Sequence, residues 1–283
     1  MSSWRLLQTG PLSGSLNMAL DESLWEAVRC GQSPPVLRLY RWQPPTVSLG
    51  YAQRTHQAVN LGACAELGIQ VVRRMTGGRA VLHDREVTYS VVSPDRTSLF
   101  PAGVLSSYRI IADIVGQTLR DCGLDVQLAP GQLSEKVPRT APESACFTAV
   151  SHYELTCRGC KIAGSSQKRG DGVFLQHGSI PLDLDLDVLY RVLTPGAVDC
   201  KGQGVSAYGQ KIGWVNRWLD HPVTIDMLEL KLIETFIRCL GITLVPDQVT
   251  AAEWTLAQQL ACTRYVNPEW TFKDSRQPLQ SGC

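Results

Sequence analysis

A chain of 283 residues with 44% hydrophobic content can bury one large domain, or one domain with a small appendage. Its formal net charge of +1 supplies no basic field and argues against a nucleic-acid partner. Residues 1–10 hold no apolar run of signal-peptide length, and no stretch approaches the roughly 18 apolar residues of a membrane span, so a soluble, cytoplasmic protein without a membrane partner is expected.

Leu16, Leu20, Leu24, Ala27 and Val28 recur at helical spacing and predict an amphipathic helix over about 15–29, ended by the Gly31 to Pro35 stretch. Segments 36–40 and 47–51, separated by Pro44-Pro45, read as strands, followed by strand-like 71–74, 80–83 and 87–92. Tyr108, Ile111, Val115 and Leu119 form one stripe of a helix over about 104–122, with Gly123 as its stop. Residues 130–145, rich in Pro, Ser and charge, read as a surface loop leading to Cys146, and strand signals resume from Tyr153 through Leu182. Helices then dominate: 185–193, 224–240 stopped by Gly241, and 250–262, where Thr250 and Glu253 fit a capping box. Tyr265, Trp270 and Phe272 precede a polar tail expected to fray.

With strands in the centre and helices at the flanks, and no strict alternation, the pattern is α+β: a mixed or antiparallel sheet with flanking helices and a small helical C-terminal segment. No repeat or low-complexity segment interrupts it. The expected division is a main domain over 30–245, with residues 1–29 as an N-terminal helix packed on it and 246–283 as a helical extension and tail.

Ten cysteines are scattered along the chain, as buried small hydrophobes or inert thiols would be. Cys157-Arg158-Gly159-Cys160 has zinc-like spacing, but no second pair completes four ligands, and Arg158-Gly159 reads as a hairpin turn between two strands. No metal is expected. Cys146 is different, because Lys161 follows it by fifteen residues. A thiol with a pKa of about 8.5 is mostly protonated at neutral pH, and a lysine ammonium nearby favours its thiolate. At about 4 Å and an effective dielectric near 20 that attraction is worth at most about 4 kcal/mol, or roughly three pKa units. The pair suggests covalent acyl transfer through a thioester.

The second unusual run is Arg73-Arg74-Met75-Thr76-Gly77-Gly78-Arg79-Ala80-Val81-Leu82-His83-Asp84. Adjacent glycines between strands allow a tight turn and close approach to a ligand. Spacing alone fits either a glycine hairpin with solvated arginines or a site for a phosphate, a carboxylate or an acidic partner. It is neither a P-loop nor a Gly-x-Gly-x-x-Gly fingerprint.

This run, together with Lys161-Ile162-Ala163-Gly164-Ser165 and His177-Gly178-Ser179, resembles the lipoate–protein ligase A superfamily. Asn17-Met18-Ala19-Leu20-Asp21-Glu22, Leu49-Gly50-Tyr51 and the block from Cys146-Phe147 to Tyr153-Glu154-Leu155 are most similar to its cysteine-dependent octanoyltransferases. The likeness is dense over 12–189 and looser beyond. Ser166 stands where alanine is usual in the family, Cys160 where a basic residue is common, and Val150-Ser151 where Pro-Ser is usual.

The resemblance implies a biotin/lipoate ligase-like catalytic domain and an acyl-enzyme mechanism in lipoate biosynthesis. Cys146 would take octanoyl from octanoyl-acyl carrier protein, and a lysine of a lipoyl domain or of the glycine cleavage H protein would accept it as an amide. Lys161 would lower the thiol pKa, hold the acyl carbonyl region and help remove the amine proton. No cofactor is implied, since the donor is already a thioester. Gly77 and Gly78 would line the acyl tunnel beside Arg74, with Gly164, Ser165 and Gly178 among the substrate-binding positions. His83, Gln167 and His177 would orient the carbonyl or the incoming amine, and His152 would sit at the pocket edge. Arg73, Arg79, Lys168 and Arg169 are candidates for a docking rim toward acidic partner proteins. The alternatives are an ATP-dependent lipoate–protein ligase, an amidotransferase between carrier proteins, and a non-catalytic binder of lipoyl domains; the biotin ligase signature is missing.

Overall fold

A computed structural model describes residues 2–101, 103–128, 154–195 and 203–273. Cys146, the 130–145 loop, His152, Tyr153 and the tail beyond 273 lie outside the described residues.

The chain opens with strand β1 (Ser3–Leu12), helix α1 (Gly14–Arg29) and strands β2 (Val36–Trp42) and β3 (Thr46–Leu49). Short helices α2 (Thr55–Ala58) and α3 (Leu61–Glu66) lead to β4 (Gln70–Arg73), β5 (Val81–His83) and β6 (Glu86–Pro94). Then come α4 (Val104–Asp121), β7 (Val126–Leu128), β8 (Leu155–Cys157), β9 (Cys160–Gly170) and β10 (Val173–Pro181). Helices α5 (Leu186–Leu193), α6 (Gln203–Gly209) and α7 (Ile225–Leu240), strand β11 (Thr243–Asp247), and helices α8 (Ala251–Leu260) and α9 (Pro268–Thr271) complete the order.

Among the described residues, eight strands form one mixed sheet in the order β11-β1-β2-β6-β10-β9-β8-β7, parallel on both sides of β1 and antiparallel from β2 onward. Alternation sends successive side chains to opposite faces. Leu37, Leu39, Val87, Tyr89 and Val91 pack with α4 and α7, whereas Val36, Tyr40, Trp42, Val92, Val173 and Leu175 pack with α1 and α8. A second sheet, β4-β3-β5, carries its own core against α5. This is the α+β class that the element pattern predicts.

Local signals explain most boundaries. Ser13 caps α1 by accepting from the Leu16 amide, Gly241 closes α7 in the left-handed conformation, and Thr250 and Glu253 form the expected capping box of α8. Arg158 and Gly159, at φ 49° and 77°, make the hairpin turn that sets Cys157 opposite Cys160. Both thiols are free and buried, and Cys160 Sγ donates to the Gln210 carbonyl at 3.2 Å.

Three strands went unanticipated: β1, β7 and β11. In β1, residues 4–7 are buried on both faces, so no alternation marks it, and Gly10 and Pro11 read as a turn. β11 is an exposed edge strand containing Pro246, and only its parallel register with β1, from Ser3↔Thr243 to Leu7↔Asp247, reveals it. Residues from both ends of the described chain are therefore woven into the main sheet.

Candidate active site

The site lies where the two sheets meet beneath the 74–80 loop. Arg74 builds that loop from inside: Nε and Nη2 donate to the Gly77 carbonyl, Nη2 to the Arg79 carbonyl, and Nη1 to Ser48 O and Oγ. Gly78 is at φ +89°, and a Cβ on Gly50 would fall 1.9 Å from the Gly78 carbonyl oxygen. Glycine at 50 is thus what lets the loop lie flat on β3.

Under the loop is a pocket with about 400 Å³ of empty space, its mouth included. Gly78, Gly164, Ser165 and Ser166 are its more accessible members, while Met18, Tyr40, Trp42 and Thr88 are buried. Gly178 is a wall by necessity, since a Cβ there would meet Tyr89 Cε1 at 2.5 Å and Ser165 Oγ at 2.6 Å. The pocket contains two histidines, yet presents mainly carbon, because its polar atoms are bonded to one another.

Two imidazole–carboxylate files run into the walls. In the first, His83 Nε2 meets Ser48 Oγ and Nδ1 meets Glu86 Oε1, each at 2.7 Å, and Trp42 stacks on the imidazole at 4.1 Å. Glu86 also accepts from Ser179 and Thr88, and Trp42 Nε1 donates to Thr88 Oγ1 at 2.7 Å. Burial pushes the Glu86 carboxyl up, but His83 and these hydroxyls outweigh it and hold it below the usual range.

The second file runs from Ser166 Oγ to Thr76 Oγ1 (2.8 Å), on to His177 Nε2 (2.7 Å), and from His177 Nδ1 to Asp21 Oδ2 (3.1 Å). Asp21 also receives Arg38 Nη1 at 2.7 Å, Tyr40 OH at 2.9 Å and Ser90 Oγ at 2.9 Å. Burial pushes its carboxyl up, and Arg38 and the His177 bond more than cancel that, leaving it below the usual range. Burial pushes His177 down, against the pull of Asp21, and Arg74 and His83 add to the lowering. A neutral His177 with Nδ1–H toward Asp21 leaves Nε2 to accept from Thr76.

Lys161 stands at the edge of this pocket. A Cβ built on Gly164 would lie 3.6 Å from its Cε, so the lysine stem runs along the lining backbone. Its Nζ donates to Glu154 Oε1 at 2.6 Å, with both side chains less than a tenth exposed. The ammonium expected to favour a thiolate thus has a carboxylate beside it, which offsets part of its field.

Of the residues singled out from sequence, Arg74, Gly78, His83, Gly164, Ser165, His177 and Gly178 line one pocket, with Lys161 beside it. Gly77 does not line it; its carbonyl is consumed by Arg74. Gln167 does not either, and instead donates to Gln176 Oε1 and Ser107 Oγ. The docking rim also needs correction. Arg73 is fully buried and donates to the carbonyls of Gly50, Tyr51, Gln53, Trp270, Thr271 and Lys273 and to Thr55 Oγ1. Arg169 is held by Asp95, Gly103 and Ser107, and Lys168 Nζ sits 4.8 Å above the Trp25 ring.

Asp21, Arg38, Glu86 and Glu154 received no role from the sequence. A signal existed for two of them. Asn17 and Asp21 lie one turn apart on the buried face of α1, and Arg38 interrupts an apolar strand; a charge in such a place needs a partner.

A model of the lipoyl protein ligase A/B catalytic domain matches residues 13–237. The chain is 41% identical over 274 residues to "Octanoyltransferase LipM" of Kyrpidia tusciae, covering 96% of this chain and 100% of that protein. It is 39% identical over 274 residues to the protein of the same name in Bacillus subtilis, covering 95% and 98%. Among solved structures, lipoate-protein ligase A bound with ATP superposes with a TM-score of 0.79 at 28% identity, covering 97% of this chain and 100% of that one. A bipartite lipoate protein ligase from Thermoplasma acidophilum gives 0.80 at 26% identity, covering 99% and 100%.

Proposed function

The chain belongs to the lipoyl protein ligase A/B catalytic domain family, and we propose that it is an octanoyltransferase of lipoate biosynthesis working through a cysteine thioester. Octanoyl-acyl carrier protein is the donor, and a lysine of a lipoyl domain or of the glycine cleavage H protein is the acceptor. The observation that carries this reading is the carbon-walled pocket with Lys161 at its edge, in a chain 36–41% identical to eight proteins named as octanoyltransferases.

The octanoyl chain lies in the pocket between Met18, Trp42 and Val81, where burial of each methylene is worth about 0.8 kcal/mol. Its carbonyl sits near Gly164 and Lys161. Cys146 attacks the donor thioester, and Lys161 favours its thiolate against the opposing pull of Glu154. The incoming amine then displaces the thiolate and leaves with the acyl group as an amide. The setting is the cytoplasm; among the described residues no helix is long and apolar enough to cross a membrane.

The test is incubation with octanoyl-acyl carrier protein without ATP, followed by mass spectrometry of the intact protein and its peptides, with Cys146→Ser as control. An octanoyl adduct on the Cys146 peptide, discharged by a lipoyl domain, is the expected result. Modification of the lipoyl domain only when ATP and free acid are supplied would instead identify a ligase.

A further inference from the structure

Amide formation releases a proton that the thioester chemistry itself does not place. An amine attacking an acyl carbon becomes cationic in the tetrahedral intermediate and must lose a proton before the amide is stable. Lys161 Nζ is already engaged with Glu154 at 2.6 Å. The pocket wall contains two other candidates, the files ending in Glu86 and Asp21.

The Glu86 file is closed at its pocket end. Ser48 Oγ, the hydroxyl that meets His83, also accepts from the Arg74 guanidinium at 3.1 Å, and a fixed cation on that oxygen opposes its taking a second proton. Trp42 covers the imidazole face. The Asp21 file is open. Ser166 Oγ makes its hydrogen bond to Thr76 and lies in the pocket lining, directly across β9–β10 from His177. With His177 neutral and its Nδ1–H toward Asp21, Nε2 accepts from Thr76, whose single proton is then used, so Ser166 is the donor to Thr76. That polarity, hydroxyl to imidazole to carboxylate, is the one by which a hydroxyl–His–Asp arrangement withdraws a proton.

We propose, resting on the octanoyltransferase reading, that Ser166, Thr76, His177 and Asp21 form the proton-accepting file for the attacking lysine amine. The amine enters neutral, its first proton already left in water. Its lone pair forms the C–N bond, the C–S bond breaks, and the bonding pair departs on sulfur. One amine proton passes to Ser166 Oγ while Ser166 hands its own to Thr76 and Thr76 its own to His177 Nε2. The imidazolium faces Asp21 until the proton returns along the file to solvent or to the departing thiolate. Ser166 is the catalytic residue that touches the amine, His177 is the acceptor, and Asp21 is the positioning residue fixing the tautomer. Ser166 extends the file to the pocket. The charged and titratable groups facing His177 are Asp21 from α1, with Arg38 and Tyr40 of β2 behind it, Arg74 from the loop, and His83 from β5.

The experiment separates loading from transfer. Wild type, Ser166→Ala, Ser166→Thr, His177→Asn and His83→Asn are loaded from octanoyl-acyl carrier protein, then mixed with a lipoyl domain between about pH 6 and 9. His177→Asn keeps a donor for Asp21 but offers Thr76 no imidazole nitrogen. Ser166→Ala and His177→Asn are expected to slow amide formation about 10²-fold or more at neutral pH. Loading should stay within about twofold, the deficit should shrink as pH rises and hydroxide takes over, and Ser166→Thr should restore the rate. Equal losses in loading and transfer would mean a structural role and overturn the proposal, as would His83→Asn giving the selective loss instead. A wild-type protein that never loads removes the premise, and the proposal with it.

Discussion

Replacing Lys161 by methionine removes an ammonium that lies 2.6 Å from Glu154 Oε1, with side-chain exposures of 8% and 6%. Breaking a buried pair from one side costs about 3–5 kcal/mol, because the surviving charge keeps its burial and loses its partner. In a domain of this size that is a fall in Tm of roughly 6–20 °C. The double variant Lys161→Met/Glu154→Gln removes both charges of this pair, and such replacements are often close to neutral. Thermal and urea denaturation should therefore show a large loss in the single variant and recovery of most of it in the double. Octanoyl transfer should be absent from both, since neither has the ammonium. A single variant melting with the wild type would refute the energetics of the pair, and a double variant that transfers normally would refute any chemical role for Lys161.

Other consequences are equally direct. Gly178→Ala places a methyl 2.5 Å from Tyr89 and 2.6 Å from Ser165; overpacking of this kind costs about 1–3 kcal/mol, and the variant should lose both stability in urea and affinity for the acyl donor. Arg73→Met takes the guanidinium donor from the carbonyls of Gln53, Trp270 and Thr271, so limited proteolysis should cut near 268–273 in the variant and not in the wild type. Stability should also depend on pH in a definite sense. His177 is depressed on folding, so the unfolded chain binds the extra proton first, and its contribution is complete above the ordinary histidine value of about 6.5 and lost as pH falls below it. Asp21 and Glu86 are depressed as well, and their contributions disappear at lower pH, from about 4 downward. Urea midpoints measured at pH 7.5 and 5.5 should converge in His177→Asn; an undiminished difference would assign the loss elsewhere.

How much of the site could be read from the chain depends on how local each signal is. Caps, stops and turns are written within a few residues, so Gly241, Thr250 with Glu253, and the Arg158-Gly159 hairpin were legible in place. The paired glycines, Arg74, His83, the Lys161 segment and His177 were legible as motifs, and most of them meet around one pocket although they are spread over a hundred residues of sequence. Local signals could not say which polar group answers which. Asp21 reaches His177 across 156 positions, and Arg73 reaches Trp270 across 197. Those partnerships exist because the sheet and its covering helices bury these groups together, and a buried charge or donor must be satisfied by whatever the fold brings within reach. For the same reason Arg73, solvated by expectation, became an internal staple, and Glu154 became the counterion of Lys161. Composition, periodicity and motifs determined the α+β class and the chemistry to look for. The tertiary structure alone decided the pairing of carboxylates with histidines and lysine, because solvent exclusion, which makes those pairs obligatory, comes into being only when the layers close.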